Sequence, residues 1–187
     1  MIKLKLITKF FTILITFQTI FFNLKCSDII LLIGASCSGK STISEALHKR
    51  LNEEKKIWEI VGFDECGENI ENLIEFSKNI IKGGENIVID TNTYEETIDE
   101  ELNDKKNNLI KIYVYAPLDI LLKRDEERNE KRERSEERAL RARRFVKISF
   151  ENTKSLDVDF KIDTSINNVN VCVDSILNFY KEKIIKK

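Results

Sequence analysis

The sequence predicts a single α/β domain of three layers, in which helices cover both faces of a five-stranded parallel sheet. Short apolar runs alternate along the chain with amphipathic helical patterns, which is the order that a parallel sheet with crossover helices requires. The first apolar run also leads through a glycine-rich turn directly into a helix. The 187 residues, 42% of them hydrophobic, are enough for one domain with a substantial core.

The glycine-rich turn has the pattern G-x-x-x-x-G-K-S, which is the pattern of a phosphate-binding P-loop. Gly34 and Gly39 permit the tight turn and the close approach of the backbone to a phosphate. Lys40 would reach the β- and γ-phosphates of a nucleoside triphosphate, and the Ser41 hydroxyl would bind Mg²⁺. The start of the following helix adds N–H groups and a positive dipole end. The predicted nucleotide-binding residues are Gly34, Ala35, Ser36, Cys37, Ser38, Gly39, Lys40 and Ser41.

Two aspartates follow predicted strands further along the chain. The second strand, over 57–61, leads to Asp64, and the third strand, over 86–90, ends in Asp90 itself. Ligands of parallel sheets bind at the carboxyl ends of the strands, so both carboxylates should lie beside the P-loop. Asp64 could accept a proton from an attacking hydroxyl, and Asp90 could hold Mg²⁺ directly or through water. A loop or helix-capping role is the alternative for either, and residues 91–93 could contact the acceptor.

Hydrophobic periodicity and end signals predict the other elements in order. The strands are nearly continuously apolar, as strands buried on both faces are, and the helices have apolar residues three and four apart. Gly83 and Gly84 end the second helix, and Pro117 suits the first turn of the fourth. The predicted strands cover residues 28–33, 57–61, 86–90, 109–115 and 158–163. The predicted helices cover residues 41–53, 69–82, 95–102 and 168–185, with a further helix starting at Ala116-Pro117.

The segment 123–144 is mostly charged, with ten basic and seven acidic residues. A solvated helix with charge pairs four residues apart explains most of these side chains. A mobile lid would need only two or three of the arginines, because such residues neutralise the charge on a transferred phosphoryl group. Arg124 and Arg128 are the first candidates for this role, followed by Lys131 or Arg132.

The overall composition excludes some classes of function. The 31 basic and 32 acidic residues are nearly balanced, which argues against a general nucleic-acid binder. The four cysteines form no C-x-x-C pair, so neither a zinc site nor a disulfide framework is indicated. The single histidine, His48, falls on the helix after the P-loop and is interpreted as a surface or packing residue.

Residues 1–26 are predicted to form an N-terminal leader, and the domain is predicted to span residues 27–187. Three lysines precede an apolar stretch over 10–22, and no acidic residue occurs before Asp28. This pattern is typical of a secretory signal peptide. If the apolar stretch is extended to residues 7–24, it could instead serve as a membrane anchor. A domain that needs ATP would then face the cytosol or act in the cytosol of a host cell.

Five segments match, in order, the pattern of one known family. They are residues 30–41, 62–64, 87–90, 114–121 followed by Arg124 and Arg128, and 158–165. The fourth resembles V-x-C-P-L-E-x-L-x-x-R-x-x-x-R, and the last resembles Y-D-x-x-V-D-T-S. The chain is therefore similar to the chloramphenicol phosphotransferase-like proteins of the P-loop kinase superfamily. Zeta-toxin-like kinases share much of this plan.

The resemblance implies a nucleoside-kinase-like P-loop NTPase fold with a helical lid, and ATP-dependent phosphorylation of a small-molecule hydroxyl. In this interpretation Asp64 is the base or orienting group, and Lys40, Arg124 and Arg128 complete the catalytic set. Two other classes stay open. One is a membrane-tethered nucleotide-binding switch or pseudokinase, and the other is a nucleic-acid-end kinase, against which the interleaved acidic residues of segment 123–144 argue. The patterns identify neither the acceptor nor the oligomeric state.

Overall fold

A computed structural model describes residues 26–53, 57–104 and 106–185. These residues form five strands and six helices. The strands are β1 (Asp28–Ile33), β2 (Trp58–Gly62), β3 (Asn86–Thr91), β4 (Asn108–Tyr115) and β5 (Phe160–Asp163). The helices are α1 (Lys40–Asn52), α2 (Ile70–Gly83), α3 (Glu96–Leu102), α4 (Leu118–Lys131), α5 (Glu136–Thr153) and α6 (Val169–Ile185).

All strand pairs are parallel, and the strand order across the sheet is β2-β3-β1-β4-β5. Strand β1 is central, since Ile29 lies opposite Ile87 of β3 on one side and Leu109 of β4 on the other. Every residue of β1 is buried, which explains its almost uninterrupted apolar sequence. The P-loop therefore begins at the middle of the sheet.

The two faces of the sheet carry separate apolar clusters, because alternate residues of a strand point to opposite sides. Ile30 and Leu32 pack on the face covered by α1 and α6. Ile29, Leu31 and Ile33 pack on the face covered by α2 and α3. The predicted three-layer α/β fold with a five-stranded parallel sheet is confirmed.

The charged segment 123–144 differs most from its prediction, because it is divided between two helices. It contains the end of α4, a turn over 132–135 and the start of α5. Within the turn, Glu133 has a positive φ of 49°. The Asn129 amide donates to Asp125 Oδ2 at 3.2 Å, and Arg134 donates to Asn129 Oδ1 at 2.9 Å. Helix α5 continues to Thr153, beyond the part of the chain for which the sequence predicts a lid.

Strand β5 begins two residues later than predicted. The carboxylate of Asp159 accepts the backbone N–H of Lys111 at 2.9 Å, where a strand would offer a backbone carbonyl. Lys183 also donates to Asp159 at 2.9 Å. The Asp159 N–H still donates to the Lys111 carbonyl oxygen at 3.0 Å, so pairing just before Phe160 is only partly regular. The other predicted boundaries lie within two residues of the observed ones.

His48 lies against β2, with its Nε2 atom 2.8 Å from the Trp58 carbonyl oxygen, and so fits the expected packing position.

Within the described ranges, no helix is both long and apolar enough to cross a membrane. The predicted leader lies outside those ranges, except for Cys26.

Candidate active site

The loop between β1 and α1 depends on its two glycines. A Cβ atom on Gly34 would lie 2.1 Å from the backbone carbonyl oxygen of Val114, so a larger residue would push β1 and β4 apart. Gly39 has a φ of 91°, which is the left-handed region that favours glycine. A Cβ atom there would meet nothing within 4 Å, so the space beside the loop is open.

The N-terminus of α1 has the properties of an anion-binding site. Gly39 precedes the helix without a side-chain cap, and the first turn contains no acidic residue. The first N–H groups of a helix have no partner inside the helix, and the dipole adds partial positive charge. These groups are therefore suited to phosphate oxygens.

Lys40 is held inside this site. Its ammonium donates to the Ala35 carbonyl oxygen at 3.1 Å and lies 3.8 Å from Asp90 Oδ1. Burial lowers the pKa of Lys40, and the positive charge of Arg128 acts in the same direction, whereas Asp90 and Asp64 oppose the shift. A bound triphosphate would add further negative charge beside this buried ammonium and favour its charged form.

A cleft of about 510 Å³, here called the phosphate cleft, opens beside the loop. It brings together side chains from the first three strand–helix connections and from helix α4. Its lining includes Ser36, Cys37, Gly39, Lys40, Ser41, Asp64, Asp90, Asn92, Arg124 and Arg128. The candidate catalytic and metal-binding residues that the sequence predicts thus surround one cleft, while their individual roles stay predictions.

Asp64 is positioned by a short loop with internal hydrogen bonds. The Phe63 N–H donates to the Asp90 carbonyl oxygen at 2.9 Å, which joins the ends of β2 and β3. Glu65 N–H donates to Gly62 at 3.1 Å, and Glu68 N–H donates to Phe63 at 3.0 Å. The carboxylate of Asp64 is exposed at the edge of the cleft, where an acceptor hydroxyl could approach it.

The residues expected to bind Mg²⁺ fit the ion. Ser41 and Asp90 line the same cleft, and Mg²⁺ commonly binds one or two protein oxygens together with phosphates and water. The described part of the chain has no group of three or more His, Cys, Asp or Glu side chains that could hold a metal. Phosphate oxygens and water would therefore supply most of the ligands.

The two candidate arginines have different surroundings. Arg124 donates to the Cys37 carbonyl oxygen at 3.3 Å, and to the hydroxyl and carbonyl oxygens of Thr164 at 2.9 and 2.7 Å. These bonds brace the P-loop, so Arg124 acts in this structure as a positioning residue. Arg128 is exposed and lines the cleft, which leaves its guanidinium available to a phosphate. Lys131 and Arg132, the next candidates, do not line it.

Two further residues hold the loop, and the sequence gives neither a site role. The Thr164 hydroxyl donates to the Ser38 carbonyl oxygen at 2.8 Å and lies 3.2 Å from that of Tyr115. The Ser149 hydroxyl accepts the N–H of Ser36 at 3.0 Å. Thr164 lies in the last of the five segments that match the family pattern, so the sequence could have indicated a role for it. Ser149 lies in α5, where no motif indicates its role.

A second cavity of about 410 Å³, here called the acidic cavity, adjoins the phosphate cleft. Phe63 and Asn92 line both. Thr93 also lines the acidic cavity, as expected for a residue near the acceptor, whereas Thr91 is buried and donates to the Thr93 carbonyl oxygen at 2.7 Å. The rest of the lining comes from the β2–α2 loop, the β3–α3 loop and α5. It comprises Glu68, Asn69, Ile70, Glu71, Glu95, Phe145, Ile148, Ser149 and Asn152.

Comparisons with solved structures identify the fold. The APS kinase of Mycobacterium tuberculosis, solved with AMPPNP and APS, superposes with a TM-score of 0.67 at 12% identity, covering 83% of this chain and 98% of that one. A sugar kinase from Janibacter gives 0.60 at 13% identity, covering 83% and 95%. The chain has the P-loop kinase fold. At these identities the likeness concerns architecture alone.

Sequence comparison adds one relative. An L-seryl-tRNA(Sec) kinase from Methanococcus maripaludis is 38% identical over 120 residues, which cover 55% of this chain and 47% of the relative. The chain thus spans about half the length of the curated relative that it matches. No protein-family model matches the chain. The finer resemblance to chloramphenicol phosphotransferase-like proteins stays a prediction.

Proposed function

We propose that the protein is an ATP-dependent phosphotransferase that transfers the γ-phosphate to a hydroxyl of a small molecule. One observation carries the proposal: the P-loop lysine, two strand-end carboxylates and an arginine surround a single cleft that adjoins a second cavity. The second cavity gives an acceptor a place beside the phosphates. A nucleotide-binding switch has no evident use for it.

The triphosphate would be bound by the start of α1 and by Lys40. The uncapped N–H groups would contact the phosphate oxygens, and the Lys40 ammonium would pair with the β- and γ-phosphates. Ser41 and Asp90 would hold Mg²⁺, which when bound offsets phosphate charge. Arg124 and Thr164 would keep the loop in its binding conformation.

The transfer step needs one base and one further cation. The acceptor oxygen attacks the γ-phosphorus, the bond to the β–γ bridging oxygen breaks, and ADP leaves with that electron pair. Asp64 accepts the hydroxyl proton or orients the hydroxyl. Arg128 would neutralise charge on the transferred phosphoryl group.

The proposal is tested with the full chain, Mg²⁺ and ATP labelled at the γ-phosphate, across a panel of hydroxyl-bearing metabolites. Label should appear in at least one metabolite with the wild type and in none with Lys40→Ala. ATP binding without labelling of any acceptor would contradict the proposal and support the switch or pseudokinase.

A second candidate is transfer to a serine hydroxyl attached to tRNA. The 38% identity to an L-seryl-tRNA(Sec) kinase favours it, although the match covers only part of each chain. The acidic cavity argues against it, since no lysine or arginine lines the place where the acceptor would enter. Assaying seryl-tRNA beside the metabolite panel decides between the two.

We propose, from the leader, that the domain works at a membrane or after export. A supply of ATP then requires the cytosolic face of that membrane or the cytosol of a host cell. Fractionation of cells that express the full chain, followed by protease protection, tests this location. Recovery of the intact chain with the free cytosolic proteins would contradict it.

A further inference from the structure

The acidic cavity differs in charge from the phosphate cleft beside it. Three carboxylates line it, those of Glu68, Glu71 and Glu95, and no lysine or arginine does. The phosphate cleft also has four acidic residues in its lining, but it differs in having Lys40, Arg124 and Arg128. An anionic group would therefore find cations to pair with in the cleft and none in the cavity.

The carboxylates of the acidic cavity are not neutralised by neighbouring side chains. Among residues 26–53, 57–104 and 106–185, none of Glu68, Glu71 and Glu95 forms an ion pair. Glu71 lies in the first turn of α2, where the helix dipole stabilises a carboxylate. The dipole of α3 likewise favours a carboxylate at Glu95, its N-cap residue, although the Glu95 side chain forms no capping hydrogen bond. Glu68 lies in the β2–α2 loop, outside both helices.

Apolar side chains form another part of the lining. Phe63 and Ile70 are buried, whereas Phe145 and Ile148 of α5 are 39% and 57% exposed. Small-molecule sites typically combine an apolar surface with a few polar groups, in volumes of roughly 300–1,000 Å³. At about 410 Å³, the acidic cavity has a size and lining suited to a compact ligand with an apolar part.

The position of the cavity relates it to the reaction. Phe63 and Asn92 line both the cavity and the phosphate cleft, and Asp64 follows Phe63 directly. A molecule in the cavity could therefore present a hydroxyl to Asp64 while its remaining atoms contact the carboxylates and α5. A ligand in a remote groove could not do this.

We infer that the acceptor is a small hydroxyl compound with a protonated amine and an apolar group, bound in the acidic cavity. The inference rests on the proposed function and specifies its substrate class. The amine pairs with the carboxylates of Glu68, Glu71 and Glu95, and the apolar group packs on Phe145 and Ile148. Acceptors with a phosphate, sulfate or carboxylate are disfavoured, because the cavity has no cation to pair with them.

Three matched probes test the charge preference. Phenylalaninol is a cationic amino alcohol, and N-acetylphenylalaninol is its uncharged N-acetyl derivative. The third probe, 3-phenyllactate, is an anionic hydroxyl compound of similar size. Initial rates of γ-phosphoryl transfer are measured with the full chain at saturating ATP and Mg²⁺. Phenylalaninol should be preferred over the neutral probe by about tenfold in kcat/KM, and over the anion by more, since several partly exposed ion pairs act together.

Glutamine substitutions connect this preference to the cavity. The triple variant Glu68→Gln, Glu71→Gln, Glu95→Gln should raise the KM for phenylalaninol about tenfold and abolish its preference over the neutral probe, while the affinity for ATP stays unchanged. Glu75→Gln is the matched control, because Glu75 is exposed on α2 but does not line the cavity. Thermal unfolding without ligands shows that the variants are folded.

The outcomes separate this inference from the proposed function. Transfer that favours the neutral or anionic probe, or an unchanged KM in the triple variant, would overturn the inference and leave the kinase proposal standing. Preferred transfer to seryl-tRNA over the small amines would overturn it too. Absence of transfer to these probes and to every member of the metabolite panel would overturn both.

Discussion

The phosphate cleft and the acidic cavity lie side by side but are built in different ways. The cleft takes its charged side chains from the first turns of α1, the loop after β2, the end of β3 and helix α4, which surround the carboxyl edge of the central sheet. The cavity takes its carboxylates from two loops and from the start of α2, and its exposed apolar residues from α5. The comparison suggests that general phosphate binding is part of the sheet architecture, whereas acceptor choice depends on elements packed around it.

The charge of the two regions supports this division of roles. The cleft combines a buried ammonium and two arginines with strand-end carboxylates, an arrangement suited to a metal-bound triphosphate. The cavity has carboxylates without basic side chains. Variants that affect only one region can therefore test whether binding of nucleotide and of acceptor are separable.

The largest effect is expected where the two regions meet. Asp64→Asn removes the proton acceptor but keeps the size of the side chain, so kcat should fall by about 10²–10⁴-fold while the Kd for ATP stays unchanged. Asp119→Asn is the control, since this exposed carboxylate begins α4 and does not line the cleft. Full transfer activity in Asp64→Asn would remove Asp64 from the mechanism.

The next largest effect concerns the cleft alone. Lys40→Met removes a charge-assisted contact to phosphate, which is worth about 1.5–3 kcal/mol, so ATP should bind roughly 10–150-fold more weakly. Isothermal titration with an ATP analogue that resists hydrolysis measures this loss. Lys49→Met, on the exposed last turn of α1, should bind the nucleotide like the wild type. Unchanged affinity in Lys40→Met would contradict the phosphate-binding role.

A smaller effect is expected from the residues that brace the loop. Arg124→Lys loses the fork of bonds to Thr164, and Thr164→Val loses the bonds to the loop carbonyl. Each should weaken ATP binding, and the double variant should lose less than the sum, with a coupling of about 0.5–3 kcal/mol. Additive losses in a double-mutant cycle would show that the two residues act separately.

The sheet and the P-loop could be predicted well because their signals are local. The apolar run of β1, the spacing of Gly34 and Gly39, and the positions of Asp64 and Asp90 all follow from neighbouring residues in the sequence. Helix α5 was not predicted beyond the charged segment, because its charges suit any solvated helix. Contacts such as Ser149 with Ser36 join residues 113 positions apart, and no local pattern indicates such pairs.

Ser149→Ala tests whether α5 supports the P-loop, and a small effect is expected. Its hydroxyl accepts the Ser36 N–H, so the substitution removes the partner of a partly buried donor, at a cost of about 1 kcal/mol. We expect a lower melting temperature and a slightly weaker affinity for ATP. Ser155→Ala, at an exposed position after α5, is the matched control. Identical stability and affinity in the two variants would show that the contact is not important.

The smallest expected effect is a pH dependence of stability without nucleotide. Burial lowers the pKa of Lys40 in the folded state below its ordinary value of 10.5. Below the folded-state pKa of Lys40, burying its positive charge lowers the free energy of unfolding by the full amount. Between that pKa and 10.5 the unfolded chain binds more protons than the folded protein, so this loss of stability disappears as the pH rises.

Lys40→Met should therefore melt a few degrees above the wild type at neutral pH, and the difference should shrink as the pH is raised. Thermal unfolding of both proteins between pH 7 and 10 measures it. A difference that does not vary with pH would contradict the assigned effect of burial on Lys40.

The most direct test of the central claim is ³¹P NMR of the full chain with ATP, Mg²⁺ and the acceptor panel. If the cleft and the cavity together transfer phosphate, the γ-phosphate signal should be replaced by that of a phosphomonoester, with formation of an equal amount of ADP. Lys40→Ala should show neither change. An ATP spectrum that stays unchanged with every acceptor, or that yields only inorganic phosphate, would contradict the account.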